Sequence, residues 1–208
     1  MRWPDKPYLA LGDSYTIGEG VEPAGRWPMQ LAAALRDIGV DVDDPTIIAT
    51  TGWTTDELEA GIDADAPQGP FELVSLLIGV NDQYRGRSVD EIPPAFRACC
   101  SARLPRRRPC TARAGSVDPG LGRDPLCRGI RPRPRADRAG TDAYNAAAAA
   151  ICAEHDVAFV DITDLSRQLG GESVMLAEDG LHPSAAMYTL WHQRAFEVTR
   201  VLWAEPTR

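Results

Sequence analysis

Tyr8-Leu9-Ala10-Leu11-Gly12-Asp13-Ser14-Tyr15-Thr16-Ile17-Gly18 is a short apolar run that stops abruptly at Gly-Asp-Ser. Tyr8 to Leu11 read as a buried strand, and Gly12 permits a tight turn out of it. Ser14 then lies just past the carboxyl end of a strand, where open α/β sheets bind their ligands. A serine hydroxyl is a weak nucleophile until a base takes its proton. The rest of the chain must therefore supply a base, an orienting acid and oxyanion donors if Ser14 is to act.

Outward from this turn, strands and helices alternate. Trp27 to Ile38 has Leu31, Leu35 and Ile38 on one helical face, with Gly39 as its stop. Thr46 to Thr50 is a second short strand. Thr54-Thr55-Asp56-Glu57 is a capping box opening a helix that runs to about Ile62. Phe71 to Ile78 is a third strand, apolar enough to be buried on both faces, and Gly79-Val80-Asn81-Asp82 follows it. Ser88-Val89-Asp90-Glu91 reads as another capping box, with Pro93-Pro94 opposing the helix it begins. Asp142 to Glu154 is an alanine-rich helix, Val157 to Asp161 a strand, and Ser184 caps a final helix to about Trp203. This alternation predicts a parallel sheet covered on both sides.

At 208 residues the chain is most simply one domain, 1–208. No apolar run reaches membrane-spanning length, and no signal-peptide apolar region precedes Ser14, so a cytoplasmic location is expected. The net charge of −8 is unevenly spread. Residues 98–141 hold 11 arginines against 3 aspartates, without lysine or glutamate, a net +8; the remainder carries −16. An acidic body argues against nucleic acid as a partner. Cys99, Cys100, Cys110 and Cys127 lie in the same segment without C-x-x-C spacing or a nearby histidine, which supports neither a zinc site nor a disulfide framework.

Asp179-Gly180-Leu181-His182-Pro183 precedes the last helix. A carboxylate three residues before a histidine on a turn can reach the Nδ1 side of the ring, leaving Nε2 free to take a serine proton. His155, at a helix end, and His192, inside the last helix, lack this setting. A lone G-D-S is usually a turn, a lone D-x-x-H a helix start, and Asn81-Asp82 a loop with local hydrogen bonds. In this order, each after a strand or before a helix, they fit one purpose.

These blocks resemble those of the SGNH (GDSL) hydrolases, a superfamily of esterases and lipases. The resemblance rests on Gly12-Asp13-Ser14, Thr51-Gly52-Trp53, Gly79-Val80-Asn81-Asp82 and Asp179-Gly180-Leu181-His182, and spans most of the chain. It implies an α/β fold, a three-layer α/β/α sandwich on a flavodoxin-like parallel sheet. It implies Ser14 as nucleophile, His182 as base and then acid, and Asp179 as orienter. The Ser14 and Gly52 N–H groups and the Asn81 side-chain amide would form the oxyanion hole. It also implies hydrolysis of small acyl esters through an acyl-Ser14, with no metal or cofactor. Asp13 and Asp82 read as structural acids; Trp53, Tyr84 and Arg85 read as pocket-lining or packing residues. G-x-S-x-G is absent, which speaks against the α/β-hydrolase elbow.

Residues 98–141 depart from this pattern, where the family has a helix, a fourth strand and its loop. Leu104 to Cys110 and Arg131 to Arg135 have neither helical nor strand period, and so long a structureless loop is anomalous in a compact domain. Back-translating Arg113 to Gly140 and reading one base later allows V-L-V-L-S-I-P-D-W-G-V-T-P-F-A, an apolar strand followed by a polar loop. The segment therefore reads as a pair of compensating frameshifts; a basic, disordered insertion is the alternative. Two other outcomes stand beside an active esterase: an inactive or poorly folded derivative, and an acyltransferase that passes the acyl group to a sugar or alcohol.

Overall fold

The computed structural model describes residues 6–89, 111–113 and 138–204. Its strands are β1 (Tyr8–Gly12), β2 (Thr46–Ala49), β3 (Leu73–Leu77), β4 (Thr111–Arg113) and β5 (Ala158–Phe159). They form one parallel sheet in the order β2-β1-β3-β4-β5. This is the flavodoxin-like order, whose topological switch point lies between the first and third strands. Every residue of β1 and β3 is buried. Tyr8 and Ala10 join one core cluster with Leu73 and Leu77; Leu9 and Leu11 join the other with Val74 and Leu76. That alternation is the period of a strand covered on both faces.

Helices supply the two covers. On the first face lie α2 (Trp27–Asp37), through Leu31 and Leu35, and the last helix, α7 (Ala185–Ala204), through Met187, Tyr188 and Trp191. On the second lie α3 (Thr55–Asp65), through Leu58, and α5 (Arg138–Glu154), through Tyr144, Ala148 and Ile151. The three-layer α/β/α sandwich is thus present. Two short helices have weak sequence signals: α4 (Val80–Tyr84) and α6 (Thr163–Leu169). The first helix, α1 (Ser14–Ile17), is a single turn directly after β1. No helix among the described residues is long and apolar enough to cross a membrane.

The strand expected over Val157 to Asp161 is shorter, Ala158–Phe159, paired with Thr111 and Ala112 of β4 among the described residues. β4 fills the interior place that the anomalous segment left in question, pairing Ser75↔Thr111 and Leu77↔Arg113 on one side and Thr111↔Ala158 on the other. The remainder of the Arg/Pro/Cys-rich stretch up to residue 137, including most of the frameshift reading, lies outside the described residues, as does the helix expected after Ser88 from residue 90 onward.

Two fully buried acids hold the loops at the carboxyl end of the sheet. Asp13 caps α1: its Oδ1 accepts the Tyr15 N–H at 3.0 Å, and its Oδ2 accepts the Asn81 Nδ2–H at 3.3 Å. Asp82 accepts the Thr55 N–H and the Thr55 hydroxyl, both at 3.0 Å, so α4 grips the start of α3; Arg87 reaches it at 3.3 Å. Burial pushes the Asp13 carboxyl up to about 7, against the Tyr15 N–H and with help from the Asp82 charge. Burial raises Asp82 as well, against the bonds from Thr55 and the charge of Arg87.

Two outcomes follow for stability. A Cβ on Gly12 would sit 2.3 Å from the Leu77 carbonyl oxygen and 2.2 Å from the Thr16 hydroxyl. Gly12→Ala should therefore force β1 from β3 and lower stability in urea by about 1–3 kcal/mol. Asp13 keeps its proton to about 7 when folded but only to its ordinary 3.8 when unfolded. Its contribution should fall as pH rises between those values and stay constant above them. Urea titrations across that range should show wild-type stability falling relative to Asp13→Asn as pH rises; a constant difference would contradict the buried acid.

Candidate active site

The site is built at the switch point, where β1 and β3 end side by side. Gly12 allows β1 to run tight against Leu77, and the chain then turns through Asp13 into α1, with Ser14 as its first residue. Ser14 is nearly buried, at 5% exposure. The left-handed Gly18 (φ +69°) ends the turn and carries the chain outward.

From the end of β2, the loop at Thr51 to Thr54 approaches the same point. Gly52 has φ +87°, a conformation open to glycine and strained for other residues. The hydroxyl of Thr51 donates to Glu19 in the loop after α1. Asn81, in the first turn of α4, donates from Nδ2 to the Trp53 carbonyl at 2.9 Å as well as to Asp13. The Ser14, Gly52 and Asn81 positions are thereby joined through Asp13, Trp53 and their hydrogen bonds.

The histidine arrives on the connection before α7. Leu176 and Pro183 form an antiparallel bridge, and the Ala177 N–H donates to the His182 carbonyl at 2.7 Å. Ser184 closes this loop by donating its hydroxyl to the Val174 carbonyl at 2.7 Å. Asp179 closes the turn within this loop. Its Oδ1 accepts the Leu181 and His182 N–H groups at 2.8 and 2.9 Å, and its Oδ2 lies 2.5 Å from His182 Nδ1. Partial burial raises the Asp179 carboxyl, but the bonds from the His182 ring and the two N–H groups outweigh it and hold it below the ordinary carboxylate range. Asp179 is therefore an anion at neutral pH, and Nδ1 carries the proton facing it.

The ring of His182 packs edge-on against Tyr15, the residue after Ser14, with centroids 6.0 Å apart. Tyr15 in turn packs edge-on against Trp191 of α7 at 5.8 Å. An imidazole with Nδ1 engaged by a carboxylate and Nε2 left as an acceptor can take and return one proton. Among the described residues, His182 is the histidine with a carboxylate hydrogen bond; His192 is half-buried on α7, where burial pushes it toward the neutral form.

Of the residues read as pocket-lining or packing, Trp53 lays its ring over Gly61 of α3, and Tyr84 packs against the first core cluster. Arg85 does neither: its guanidinium donates to Glu57 and to the Gly52 carbonyl. Sequence reading found Glu57 as a capping residue, but its bond to a side chain 28 positions away left no local signal. Tyr15 likewise stands in the sequence only as part of the turn after β1.

Comparisons with known proteins agree with this architecture. The family model described as GDSL-like Lipase/Acylhydrolase family matches residues 10–190. The structure of TesA superposes with a TM-score of 0.72 at 20% identity, covering 95% of this chain and 99% of that one. The psychrotrophic esterase EstA from Pseudoalteromonas sp. gives 0.70 at 16% identity, covering 97% and 100%. A member of the lipolytic protein G-D-S-L family from Veillonella parvula DSM 2008 gives 0.68 at 20%, covering 93% and 97%. No curated protein sequence matches the chain. Structural likeness at such low identity establishes the fold alone, whereas a family model satisfied from residue 10 to residue 190 establishes kinship: the chain belongs to the GDSL-like Lipase/Acylhydrolase family of serine ester hydrolases.

Proposed function

We propose that this chain hydrolyses small acyl esters, of the kind cleaved by acyl-esterases and lysophospholipases, through an acyl-Ser14 intermediate. The observation that carries the reading is the Asp179–His182 bond of 2.5 Å, with the His182 ring packed against Tyr15 beside Ser14. His182 Nε2 takes the Ser14 proton as Oγ attacks the ester carbonyl carbon, and delivers it to the departing alcohol. Water then attacks the acyl-Ser14 with the same nitrogen as base, releasing the acid and restoring Ser14. Asp179 keeps the ring in the required tautomer and stabilises the imidazolium formed in each half.

The developing oxyanion would be met by the N–H groups of Ser14 and Gly52 and by Asn81 Nδ2. Ser14 N–H belongs to the first turn of α1, where helix geometry leaves donors without an intrahelical acceptor. Asn81 Nδ2 makes its shorter bond to the Trp53 carbonyl and its longer one, 3.3 Å, to Asp13. The longer bond is the one to exchange for the oxyanion, while the shorter keeps the amide in place.

Hydrolysis of p-nitrophenyl acetate tests these roles. Ser14→Ala and His182→Ala should abolish turnover, and Asp179→Asn should lower kcat by up to about 10⁴-fold. Ser14→Ala that retains wild-type turnover would overturn the reading. Asn81→Ala should lower kcat by about 10²–10³-fold with little change in KM, as loss of one oxyanion donor does; an equal loss in KM alone would assign Asn81 to substrate binding instead.

A further inference from the structure

The oxyanion loop is pinned at three consecutive residues, each by a side chain from elsewhere in the chain. Thr51 is held by Glu19, Trp53 by Asn81, and Gly52 by Arg85. The Arg85 link is the least expected. Its Nη2 donates to the Gly52 carbonyl at 2.8 Å and to Glu57 Oε2 at 3.0 Å, while Nη1 donates to Glu57 Oε1 at 3.0 Å. This is a bidentate guanidinium–carboxylate pair, which fixes the plane of both groups. Glu57 is fixed in turn, because its Oε2 accepts the Thr54 N–H at 2.9 Å and the Thr54 hydroxyl at 3.0 Å. The connections close a ring: Gly52 to Arg85, Arg85 to Glu57, Glu57 to Thr54, and Thr54 back along the chain to Gly52.

The ring matters because of what Gly52 is. A glycine at φ +87° has no side chain to hold it there, and its backbone could turn to several other conformations. The Gly52 carbonyl belongs to the Gly52–Trp53 peptide and the Gly52 N–H to the Thr51–Gly52 peptide. The Trp53 N–H donates to the Thr50 carbonyl at 3.2 Å across this turn, and with the Gly52 carbonyl bound by Arg85 and the Thr51 side chain by Glu19, both peptides that flank Gly52 are restrained. We propose that Arg85, held by Glu57, is a positioning residue for the oxyanion hole: by fixing the Gly52–Trp53 peptide through its carbonyl it limits rotation about Gly52, so that the Gly52 N–H of the preceding peptide stays aimed at the reacting carbonyl oxygen. This rests on the assignment of Gly52 as an oxyanion donor made above.

The alternative is a structural ion pair, and the two roles differ in what they predict. Arg85 and Glu57 are about half and two-fifths exposed, at 48% and 39%, where an ion pair contributes little to stability. A positioning role therefore separates catalysis from stability. Glu57→Gln is a useful second variant, since glutamine also serves at that position of a capping box but cannot form the charged pair with Arg85.

The experiment measures kcat and KM for p-nitrophenyl acetate, inhibition by phenylboronic acid, and thermal midpoints for wild type, Arg85→Ala, Arg85→Lys and Glu57→Gln. The serine Oγ adds to the boron of phenylboronic acid as its proton passes to the base, and the tetrahedral boronate so formed places one of its oxygens where the oxyanion forms. Arg85→Ala should lose about 10- to 100-fold in kcat, with KM within about 3-fold and a comparable weakening of boronate inhibition. Arg85→Lys and Glu57→Gln should fall between it and wild type, and thermal midpoints should stay close to wild type. Guanidinium ion at millimolar concentration should restore part of the lost kcat to Arg85→Ala, where sodium chloride does not. Wild-type kcat in Arg85→Ala overturns the proposal. So does a loss confined to KM, or one that tracks the thermal midpoint in all variants without guanidinium rescue. Labelling of wild-type Ser14 by a fluorophosphonate, run alongside, separates the two readings. Labelled wild type with an unaffected Arg85→Ala contradicts the positioning role alone, whereas unlabelled wild type removes the oxyanion assignment beneath it.

Discussion

β1 meets β3 so closely at Gly12 that no side chain fits between them. A Cβ there would press on the Leu77 carbonyl oxygen. That approach sets the two strand ends level at the switch point of the sheet. The turn leaving β1 then presents Ser14, and the turn leaving β3 presents Asn81, from neighbouring positions. The remaining loops are anchored to this pair of ends. Asp13 bonds to Asn81, Asn81 bonds to the Trp53 carbonyl, and Asp82 grips the start of α3. A rigid sheet edge therefore positions a site whose functional groups stand on loops.

The carboxylates around the site differ because their surroundings differ. Asp13 is buried beside another acid, and burial outweighs its hydrogen bonds, so its proton is held to about 7. Asp179 is more exposed and accepts three hydrogen bonds, from the His182 ring and from two backbone N–H groups, so it stays ionised. The first suits an acid that links loops; the second suits the orienting role proposed for Asp179. Glu57, at the surface, stays ionised through its pair with Arg85 and its bond from Thr54, with partial burial opposing them.

What could be read in the sequence was what is local or periodic. The strand at Tyr8 to Leu11, the helices beginning near Trp27, Thr55 and Ala185, and the apolar run that holds β3 all carry patterns that burial enforces. The contact of Asp179 with His182 spans three residues of one turn and was legible for the same reason. Contacts between distant segments were not. Arg85 and Glu57 meet only after β3 has been laid beside β1, and neither neighbourhood hints at the other. β4 was illegible for a different reason: a three-residue strand paired through its backbone needs no apolar pattern, and Thr111 to Arg113 has none. The helix at Thr163–Leu169 is short, and its start is held by Asp161, which accepts the Thr163 N–H at 2.8 Å, whereas the local pattern puts Asp161 at the end of a strand.

On the proposed function, these loops converge to make Ser14 an activated nucleophile. Labelling the purified protein with a fluorophosphonate, followed by peptide mapping, tests it most directly, because the reaction requires an activated serine and no knowledge of the natural ester. A single adduct on Ser14, absent from Ser14→Ala, is expected. Soluble, folded protein that takes no label, or that takes it on another residue, would contradict it.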